Sequence, residues 1–432
     1  MKKSVILSAV VSAFAIAAAS GQPVPFTAGS LVVHQTGVDG GATALTSAAT
    51  RGFLKEITVG GTIVQTIDLP FLAAASGNRA LNNSGSATSE GAMTLSADGR
   101  FLVVVGYNAD AGTAGVVATA AATVNRVVGL IDCNGIIDST TAFGDGYDAN
   151  NIRSATSSNG TDIWTAGTAT GTLGGIRYLV RAGTTSVAVT APNLPTNTRY
   201  VNIAAGQLYT SSASGNFLGV STVGTGLPTT AGQTITLLPG FPVPPVTPTP
   251  STYDFWFADA NTLYVADDRS IANGGGVQKW TLSAGTWSLA YTLNTGITVG
   301  TRALAGTVVA GTPVIYATTA TANAAAGNAL VTVTDTGAAS AFSTIATSGA
   351  NTWWTGVDFA PVCSNPGPTC YANCDASTTV PFLNVNDFTC FLNAFAAGAS
   401  YANCDASTTA PVLNVNDFTC FLNAFAAGCS AP

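Results

Sequence analysis

Between residues 26 and 360, apolar and polar positions alternate in short runs that Gly, Asn or Asp residues interrupt. The runs are rich in Val, Ile, Thr and Tyr, which favour β-strands, and two of them flank Gly60-Gly61, a pair typical of a hairpin turn. No ten-residue window shows a helical period. The pattern predicts an all-β domain with strands at Phe53–Val59, Thr62–Leu69, Phe101–Tyr107, Val127–Asp132, Ile176–Val180, Gln207–Ser211, Leu263–Asp267, Val277–Leu282 and Val314–Thr318.

The strands recur as a longer repeat of about 50 residues, a length typical of four-stranded β-propeller blades. Similar openings stand near residues 89, 151, 198, 252 and 301. A sixth unit would form if the strand at 353–360 joined the strands of residues 30–69, which would remove exposed sheet edges. We therefore expect a β-propeller of six blades, with seven as the alternative. The Pro-rich stretch Pro239–Pro250 is expected to be a loop between blades.

The pattern changes at the C-terminus, where residues 371–400 and 401–430 are two copies of one 30-residue sequence that differ at three positions. The apolar residues of the first copy follow the i, i+3, i+4, i+7 spacing of one helical face: Phe388, Phe391, Leu392 and Phe395. We expect Asp387 to cap the N-terminus of this helix and Gly398 to end it. Since one short helix cannot bury its apolar face alone, the two copies would cover each other.

The N-terminus has the three parts of a secretory signal peptide, namely the charged pair Lys2 and Lys3, the apolar stretch Ser4–Ile16 and the small residues Ala17–Gly21. We expect residues 1–21 to be removed and the protein to be secreted or attached to the cell surface or envelope. No later segment is apolar over the length of a membrane span, so none is expected.

These patterns divide the remaining chain into three parts. The propeller domain is expected at 26–360, a linker rich in Pro and Cys at 361–370, and the tandem repeats at 371–430.

Charged residues are scarce, at 8% of the chain, and the formal net charge is −7. The 14 Lys and Arg residues are too few for the clustered basic surface of a nucleic-acid-binding protein. His34 is the only histidine, which excludes chemistry that needs two, and it has no evident acid or nucleophile partner in the sequence.

Seven of the eight cysteines follow residue 360, which indicates a small disulfide-stapled module in an exported protein. Two symmetric arrangements are open: pairing within each repeat, as Cys374–Cys390 and Cys404–Cys420, or pairing across the repeats. A further bond, Cys370–Cys429, is expected to clasp the two ends of the pair. Cys133 and Cys363 have no assigned partner.

In each repeat, Asn-Cys-Asp is followed by Leu-Asn-Val-Asn-Asp-Phe-Thr-Cys-Phe-Leu. This resembles bacterial type I dockerin-like repeats and, more closely, the Cys-containing, twice-repeated anchors at the C-termini of exported bacterial proteins. The resemblance implies an α-helical EF-hand-like pair that binds a cohesin-like or envelope protein through residues 371–430. It also implies calcium, held by oxygen ligands at Asn373, Asp375, Asn384, Asp387, Asn403, Asp405, Asn414 and Asp417.

The loops depart from the standard calcium-binding pattern. The first ligand is Asn rather than Asp, no Gly stands at the sharp turn, and Ala376–Phe382 lengthen the loop. Fewer carboxylates weaken calcium binding. The alternative is a loop held by Asx hydrogen bonds and disulfides, without an ion.

The propeller segment resembles exported proteins of the β-propeller-repeat type, some of which are lactonases, and no catalytic motif accompanies this resemblance. Arg153, Arg199 and Arg302 share one register near the blade openings, and Glu90 takes the equivalent place in another blade. They would form a ring of side chains at the channel mouth that binds a carbohydrate or a small anionic ligand. The alternative is that they bind carbonyls and carboxylates between adjacent blades and hold the fold together.

Three functions remain as hypotheses. The favoured one is a non-catalytic binding or surface protein that the repeat pair tethers to an extracellular or envelope partner, because the anchor pattern is intact and no catalytic constellation is evident. The alternatives are an extracellular hydrolase, either a lactonase or a polysaccharide-active enzyme, and a structural component of the envelope.

Overall fold

The strands of the large domain form six four-stranded antiparallel sheets, which are the blades of a β-propeller. The structure is a computed structural model that describes residues 24–321, 325–363, 371–375, 377, 383–405, 407 and 410–428. The expected signal peptide and most of the expected linker therefore lie outside the described residues.

The first three blades follow one another along the chain, except that the last strand of the domain belongs to blade 1. Blade 1 consists of β1 (Leu31–Thr36), β3 (Gly52–Ile57), β4 (Ile63–Asp68) and β26 (Trp353–Phe359). Blade 2 consists of β6 (Met93–Leu95), β7 (Phe101–Tyr107), β8 (Arg126–Asp132) and β9 (Ile137–Phe143). Blade 3 consists of β10 (Ile152–Ser157), β11 (Asp162–Gly167), β12 (Arg177–Val180) and β13 (Val187–Ala188).

The other three blades repeat the same order. Blade 4 consists of β14 (Val201–Ala204), β15 (Gln207–Ser214), β16 (Phe217–Val223) and β17 (Ile235–Leu237). Blade 5 consists of β18 (Thr252–Asp259), β19 (Thr262–Asp267), β20 (Gly276–Ser283) and β21 (Thr286–Leu293). Blade 6 consists of β22 (Thr301–Val309), β23 (Thr312–Thr319), β24 (Ala329–Thr334) and β25 (Ser343–Thr347). Two short strands, β2 (Ala49–Thr50) and β5 (Asn83–Ser84), pair outside the blades.

The ring closes where the two ends of the domain share blade 1. Strand β26 pairs antiparallel with β1, with Leu31 opposite Phe359 and Thr36 opposite Trp353. This confirms the prediction of six blades closed by the strand at 353–360. Each predicted strand overlaps an observed one, and the prediction for β7 is correct residue for residue. The Pro-rich stretch lies between β17 and β18, as expected.

The core lies between the blades. In β7 four successive residues, Leu102 to Val105, are fully buried, although neighbouring side chains of a strand point to opposite faces. Both faces of a blade are covered by its neighbours, so a continuous apolar run replaces the alternation of a half-exposed strand. For this reason the strand segments of this sequence are more apolar than those of a sheet with one solvent-exposed face.

A disulfide fixes the end of the propeller domain to blade 2. Cys363, just beyond β26, is bonded to Cys133 in the turn after β8. The Phe26 amide donates to the Cys133 carbonyl at 2.8 Å, and the Val362 amide donates to the Gly99 carbonyl at 2.9 Å. Both ends of the described propeller are therefore attached to the same blade, in addition to the strand pairing in blade 1.

The C-terminal repeats form two helices, α1 (Val385–Ala396) and α2 (Val415–Ala427), whose apolar faces cover each other. The fully buried rings of Phe391 and Phe421 stack with centroids 4.2 Å apart. The hydroxyls of Tyr371 and Tyr401 each donate to the other's backbone carbonyl. The two copies are thus related by an approximate two-fold arrangement that neither copy forms alone.

The helix start differs from the prediction. Asn384, not Asp387, is the N-cap, and Asp387 lies at the third helical position, where its carboxylate accepts from the Asn384 amide at 2.9 Å. This is a reciprocal capping box, and the second helix repeats it with Asn414 and Asp417. Leu392 was expected on the buried face but is 43% exposed.

The disulfides of this module lie within each repeat, as Cys374–Cys390 and Cys404–Cys420. The expected bond Cys370–Cys429 falls on residues outside the described ones. Neither of the two described α-helices has the length and hydropathy needed to cross a bilayer.

Candidate ligand-binding site at the mouth of the channel

The innermost strand of each blade lies nearest the axis of the propeller; it is β26 in blade 1 and the first strand along the chain in blades 2 to 6. Most neighbouring innermost strands contact each other. Three of the arginines selected from the sequence lie where these strands begin. Arg153 is the second residue of β10, Arg302 is the second residue of β22, and Arg199 precedes β14 by two residues. The sequence register therefore places all three at one end of the central channel.

Arg153 and Arg199 make equivalent contacts with the next blade. Nη1 of Arg153 donates to the Thr198 carbonyl at 3.1 Å, and Nη1 of Arg199 donates to the Thr252 carbonyl at 2.9 Å. Each also donates to a side chain one residue earlier, Asn197 or Ser251. Both arginines thus fasten adjacent blades, as the structural alternative expected.

Tyr253 is the residue of blade 5 that stands in the arginine register, and the sequence analysis missed it. The Arg199 guanidinium lies over its ring at 3.9 Å from the centroid, and the Arg302 guanidinium lies at 5.5 Å. Such cation–π contacts orient the guanidinium without neutralising its charge. The mouth therefore carries a cationic arc of Arg153, Arg199 and Arg302, and the ring of Tyr253 lies against the last two.

The charges along this cationic arc are compensated unequally. Arg302 is ion-paired with Asp268 at 3.1 Å. Among the residues that the structure describes, Arg153 and Arg199 have no carboxylate within ion-pairing distance, and the buried Nε of Arg153 has no hydrogen-bond partner. Burial and the nearby positive charge of Arg199 lower the pKa of Arg153 to about 10. The negative charge of Glu90 opposes this lowering.

Glu90 borders the cationic arc on the side of blade 2. Its carboxylate accepts from the Tyr107 hydroxyl at 2.6 Å, the Asn151 side-chain amide at 2.6 Å and the Ser84 backbone amide at 2.9 Å. Burial raises the pKa of Glu90, and these hydrogen bonds oppose that effect. With three donors on a side chain that is 2% exposed, Glu90 is held within the fold.

A hydrogen bond crosses the channel next to the cationic arc. The Tyr200 hydroxyl donates to the Thr355 carbonyl at 3.4 Å, and this contact links blade 4 to blade 1 on the opposite side of the ring. Burial raises the pKa of Tyr200 well above its ordinary value, so the hydroxyl stays protonated and can donate.

Two buried carboxyls that were not predicted from the sequence also lie on innermost strands, Asp254 on β18 and Asp358 on β26. Asp254 accepts from the amide of Leu304 in blade 6 at 2.9 Å, and Asp358 accepts from the amide of Leu95 in blade 2 at 2.6 Å. Burial raises the pKa of Asp358 to about 6, and it raises that of Asp254 well above the usual range. Both side chains connect one blade to the next.

His34 lies beneath the same end of the propeller and is fully buried. Its Nδ1 is 2.7 Å from the Thr355 hydroxyl, and its Nε2 is 3.4 Å from the Asn83 side-chain amide. Burial lowers the pKa of His34 to about 4, so the ring is neutral at neutral pH. Its described partners are those of a structural histidine.

The expected calcium ligands are engaged within their own loops. Asn373 Oδ1 accepts from the Ser377 amide at 3.0 Å, and the two oxygens of the buried Asp387 accept from the amides of Asp375 and Asn384. Asn403, Asp405, Asn414 and Asp417 repeat this arrangement in the second copy. Within the described residues, no group of three or more acidic, His or Cys side chains is placed to hold a metal ion.

No protein-family model and no curated protein matches the sequence of this chain. Solved structures resemble it in fold. A candidate 6-phosphogluconolactonase from Bacteroides uniformis is 12% identical over 74% of this chain and 83% of its own, with a TM-score of 0.39. The soluble aldose sugar dehydrogenase of Escherichia coli is 10% identical over 68% of this chain and 96% of its own, with a TM-score of 0.35. The β-propeller domain of the Trilobed protease from Pyrococcus furiosus is 9% identical over 74% and 96%, with a TM-score of 0.33.

Proposed function

We propose that this chain is an exported propeller protein that binds a small anionic ligand at its channel mouth and is tethered by its C-terminal repeat pair. The observation that carries the binding role is the pair Arg153 and Arg199, which lie in one register at the channel mouth and, among the described residues, have no carboxylate within ion-pairing distance. Guanidiniums recognise carboxylate and phosphate groups by charge-assisted hydrogen bonds.

This binding role is favoured over hydrolysis by the state of the candidate acids and bases. The oxygens of Glu90 are used by three donors, and His34 is buried beside Thr355 and Asn83. A general acid or base must reach the proton that it transfers. In their present positions, both side chains serve the fold.

The test of the binding role is a calorimetric titration of the full chain with galacturonate, with galactose as the neutral control. We expect galacturonate to bind and Arg199→Met to weaken its binding by about tenfold or more, since it removes one charge of the pair. Arg181→Met is the matched control, because Arg181 is an exposed, ion-paired arginine of blade 3 that is remote from the cationic arc. Equal binding of galactose, or an equal loss in both variants, would contradict the proposal.

The tethering role is supported by exposed apolar residues that both repeats present at equivalent helix positions. Val385 and Val415 are each 75% exposed, and Leu392 and Leu422 are 43% and 41% exposed. Solvent-exposed apolar side chains on paired helices are typical of surfaces that bind a partner. The disulfides of the module fit the oxidising environment of an exported protein.

The tether is tested by retention of the full chain on envelope extract from the producing cells. The double variant Leu392→Arg, Leu422→Arg is expected to abolish retention, because both charges would be placed in the proposed contact. Val64→Arg is the control, since Val64 is 47% exposed on the outer strand of blade 1. Retention of the double variant at the level of the unaltered chain would rule out this face as the tether.

A further inference from the structure

A cavity of about 510 Å³ lies between blades 4 and 5. Blade 4 supplies Leu218 and the start of the Pro-rich loop, and blade 5 supplies two tryptophans, Trp280 and Trp287. This volume is within the range of pockets that hold small organic ligands.

One wall of the cavity is built from stacked aromatic rings. Phe241, in the Pro-rich loop, stacks on Trp280 with centroids 4.0 Å apart and planes 16° from parallel. The ring of Phe241 lies directly on Gly219, where a Cβ would come within 2.1 Å of it. A side chain at Gly219 would therefore displace the aromatic wall.

The Pro-rich loop is held in place over the cavity. The Trp287 amide donates to the Pro239 carbonyl at 2.8 Å, which joins the loop to the edge strand β21. Gly240 has a φ of +98°, and a Cβ there would come within 2.0 Å of the Trp287 carbonyl oxygen. The loop thus approaches the edge of blade 5 so closely that only glycine fits, and the wall of the cavity is pre-formed.

The polar wall is a fixed network with its charge balanced. Arg269 is ion-paired at 2.8 Å with Asp267, which is fully buried behind it. The Gln278 side-chain amide donates to Asp267 at 3.2 Å, and the Trp280 indole donates to the Gln278 oxygen at 3.0 Å. Because the guanidinium already has a carboxylate partner, the cavity has no unbalanced charge for an anion. At the channel mouth, by contrast, Arg153 and Arg199 have no carboxylate within ion-pairing distance among the described residues.

The rim of the cavity is accessible from solvent. Thr286, Ser288 and Leu289 line it from β21, and all three are exposed. Two hydroxyls and an aliphatic side chain therefore surround the entrance, with the aromatic rings behind them.

We propose that this cavity is a second ligand site and that it takes a neutral sugar of one or two rings. A sugar has an apolar face formed by its C–H groups, which suits the aromatic wall, and hydroxyls, which suit Gln278 and the hydroxyls of the rim. The balanced charge of Arg269 disfavours an acidic ligand, whose charge would have to displace Asp267. The proposal stands independently of the function proposed for the channel mouth.

The test is a titration of the full chain with cellobiose, xylobiose and maltose, followed by tryptophan fluorescence and by saturation-transfer NMR of the sugar. We expect at least one of these sugars to give a saturable change. Leu289→Arg should weaken binding about tenfold or more, because a charged side chain would occupy the entrance. Leu289 is 47% exposed on an edge strand, so this variant is expected to fold.

The control is Ile63→Arg, which places the same change at a 49% exposed position on the outer strand of blade 1. It should bind the neutral sugar as the unaltered chain does. The proposal is overturned if none of the three sugars binds, or if Leu289→Arg and Ile63→Arg weaken binding equally.

Discussion

The propeller and the C-terminal repeat pair are stabilised in different ways. The propeller buries long apolar runs on both faces of its blades and links neighbouring blades by polar contacts such as Asp358 with Leu95. Among the described residues of the repeat pair, the fully buried apolar core consists of Ala372, Phe391, Ala402 and Phe421, and each repeat has its own disulfide. A small domain cannot bury enough apolar surface to be stable without such bonds. The stability of the repeat pair therefore depends mainly on its disulfides, whereas the stability of the propeller depends mainly on packing between its blades.

The largest effect is expected from removal of the disulfides within the repeats. Each closes a loop with a sequence separation of 16 residues, which corresponds to about 3 kcal/mol of stability in the chain-entropy description. Replacing Cys374, Cys390, Cys404 and Cys420 by Ser should therefore unfold both helices, measured as loss of helical circular dichroism. Cys133→Ser with Cys363→Ser should leave the sheet signal in place. If the helices are retained in the fourfold variant, the repeat pair does not depend on its disulfides for stability.

The next effect compares two phenylalanines that are both fully buried. Phe391→Ala in the repeat pair and Phe143→Ala in blade 2 each remove a ring, at a typical cost of about 3–5 kcal/mol. In the repeat pair this loss should exceed the module's free energy of unfolding, so the module should unfold. In the propeller it should lower the melting temperature while the fold persists. Calorimetric transitions of the full chain would show which region responds, and a folded module in Phe391→Ala would contradict the account.

A smaller effect is expected from pH acting on the contacts between blades. The pKa of Asp358 is raised to about 6 in the folded state, against an ordinary value near 4. The folded state therefore binds this proton more strongly than the unfolded state does. The contribution of Asp358 to stability should be greatest below about pH 4, fall as pH rises to about 6, and stay constant above that.

Asp358→Asn would isolate this contribution, because amide side chains do not titrate. The melting temperature of the unaltered chain, relative to Asp358→Asn, is expected to fall between pH 4 and pH 6 and then level off. A constant difference across this range would show that the carboxyl is not titrating as its burial requires.

The smallest effect is expected from calcium. The resemblance to dockerin-like repeats implies binding, but Asn373 and Asp387 already accept backbone hydrogen bonds in the loop. We expect millimolar calcium to raise the melting temperature of the helical module by at most a few degrees relative to chelator, with no change in the propeller, because few carboxylates give weak sites. Asp375→Asn with Asp405→Asn should remove the shift. A large stabilisation by calcium would show that the loops rearrange around the ion.

Much of the propeller could be predicted from the sequence because its signals are local. Strand runs, turn glycines and the recurring openings each depend on a few neighbouring residues, and together they placed the six blades. The position of Tyr253 in the arginine register could also have been predicted from the sequence. Tyr253 follows Thr252 as Arg199 follows Thr198 and Arg302 follows Thr301, so an alignment of the openings would have shown its place in the register.

Other features depend on distances that a sequence does not contain. Cys133 and Cys363 are 230 residues apart and are joined only because the end of blade 1 lies beside blade 2. The start of α1 was placed three residues late because Val385, which begins it, is exposed and falls outside the apolar pattern. The cavity between blades 4 and 5 forms because the Pro-rich loop after β17 packs against blade 5. The position of this loop depends on contacts with distant residues, so its own sequence does not predict it.

The bond between Cys133 and Cys363 also determines how the protein would respond to force. If the repeat pair is held by a partner while the propeller is dragged, tension enters the propeller at Cys363, just beyond β26. Without the disulfide, that tension would act on β26 and peel it from β1 one hydrogen bond at a time. With the disulfide, the force would pass to the turn between β8 and β9 of blade 2, and β26 would be bypassed. The strand that closes the ring would thereby be protected from any pull transmitted through the repeat pair.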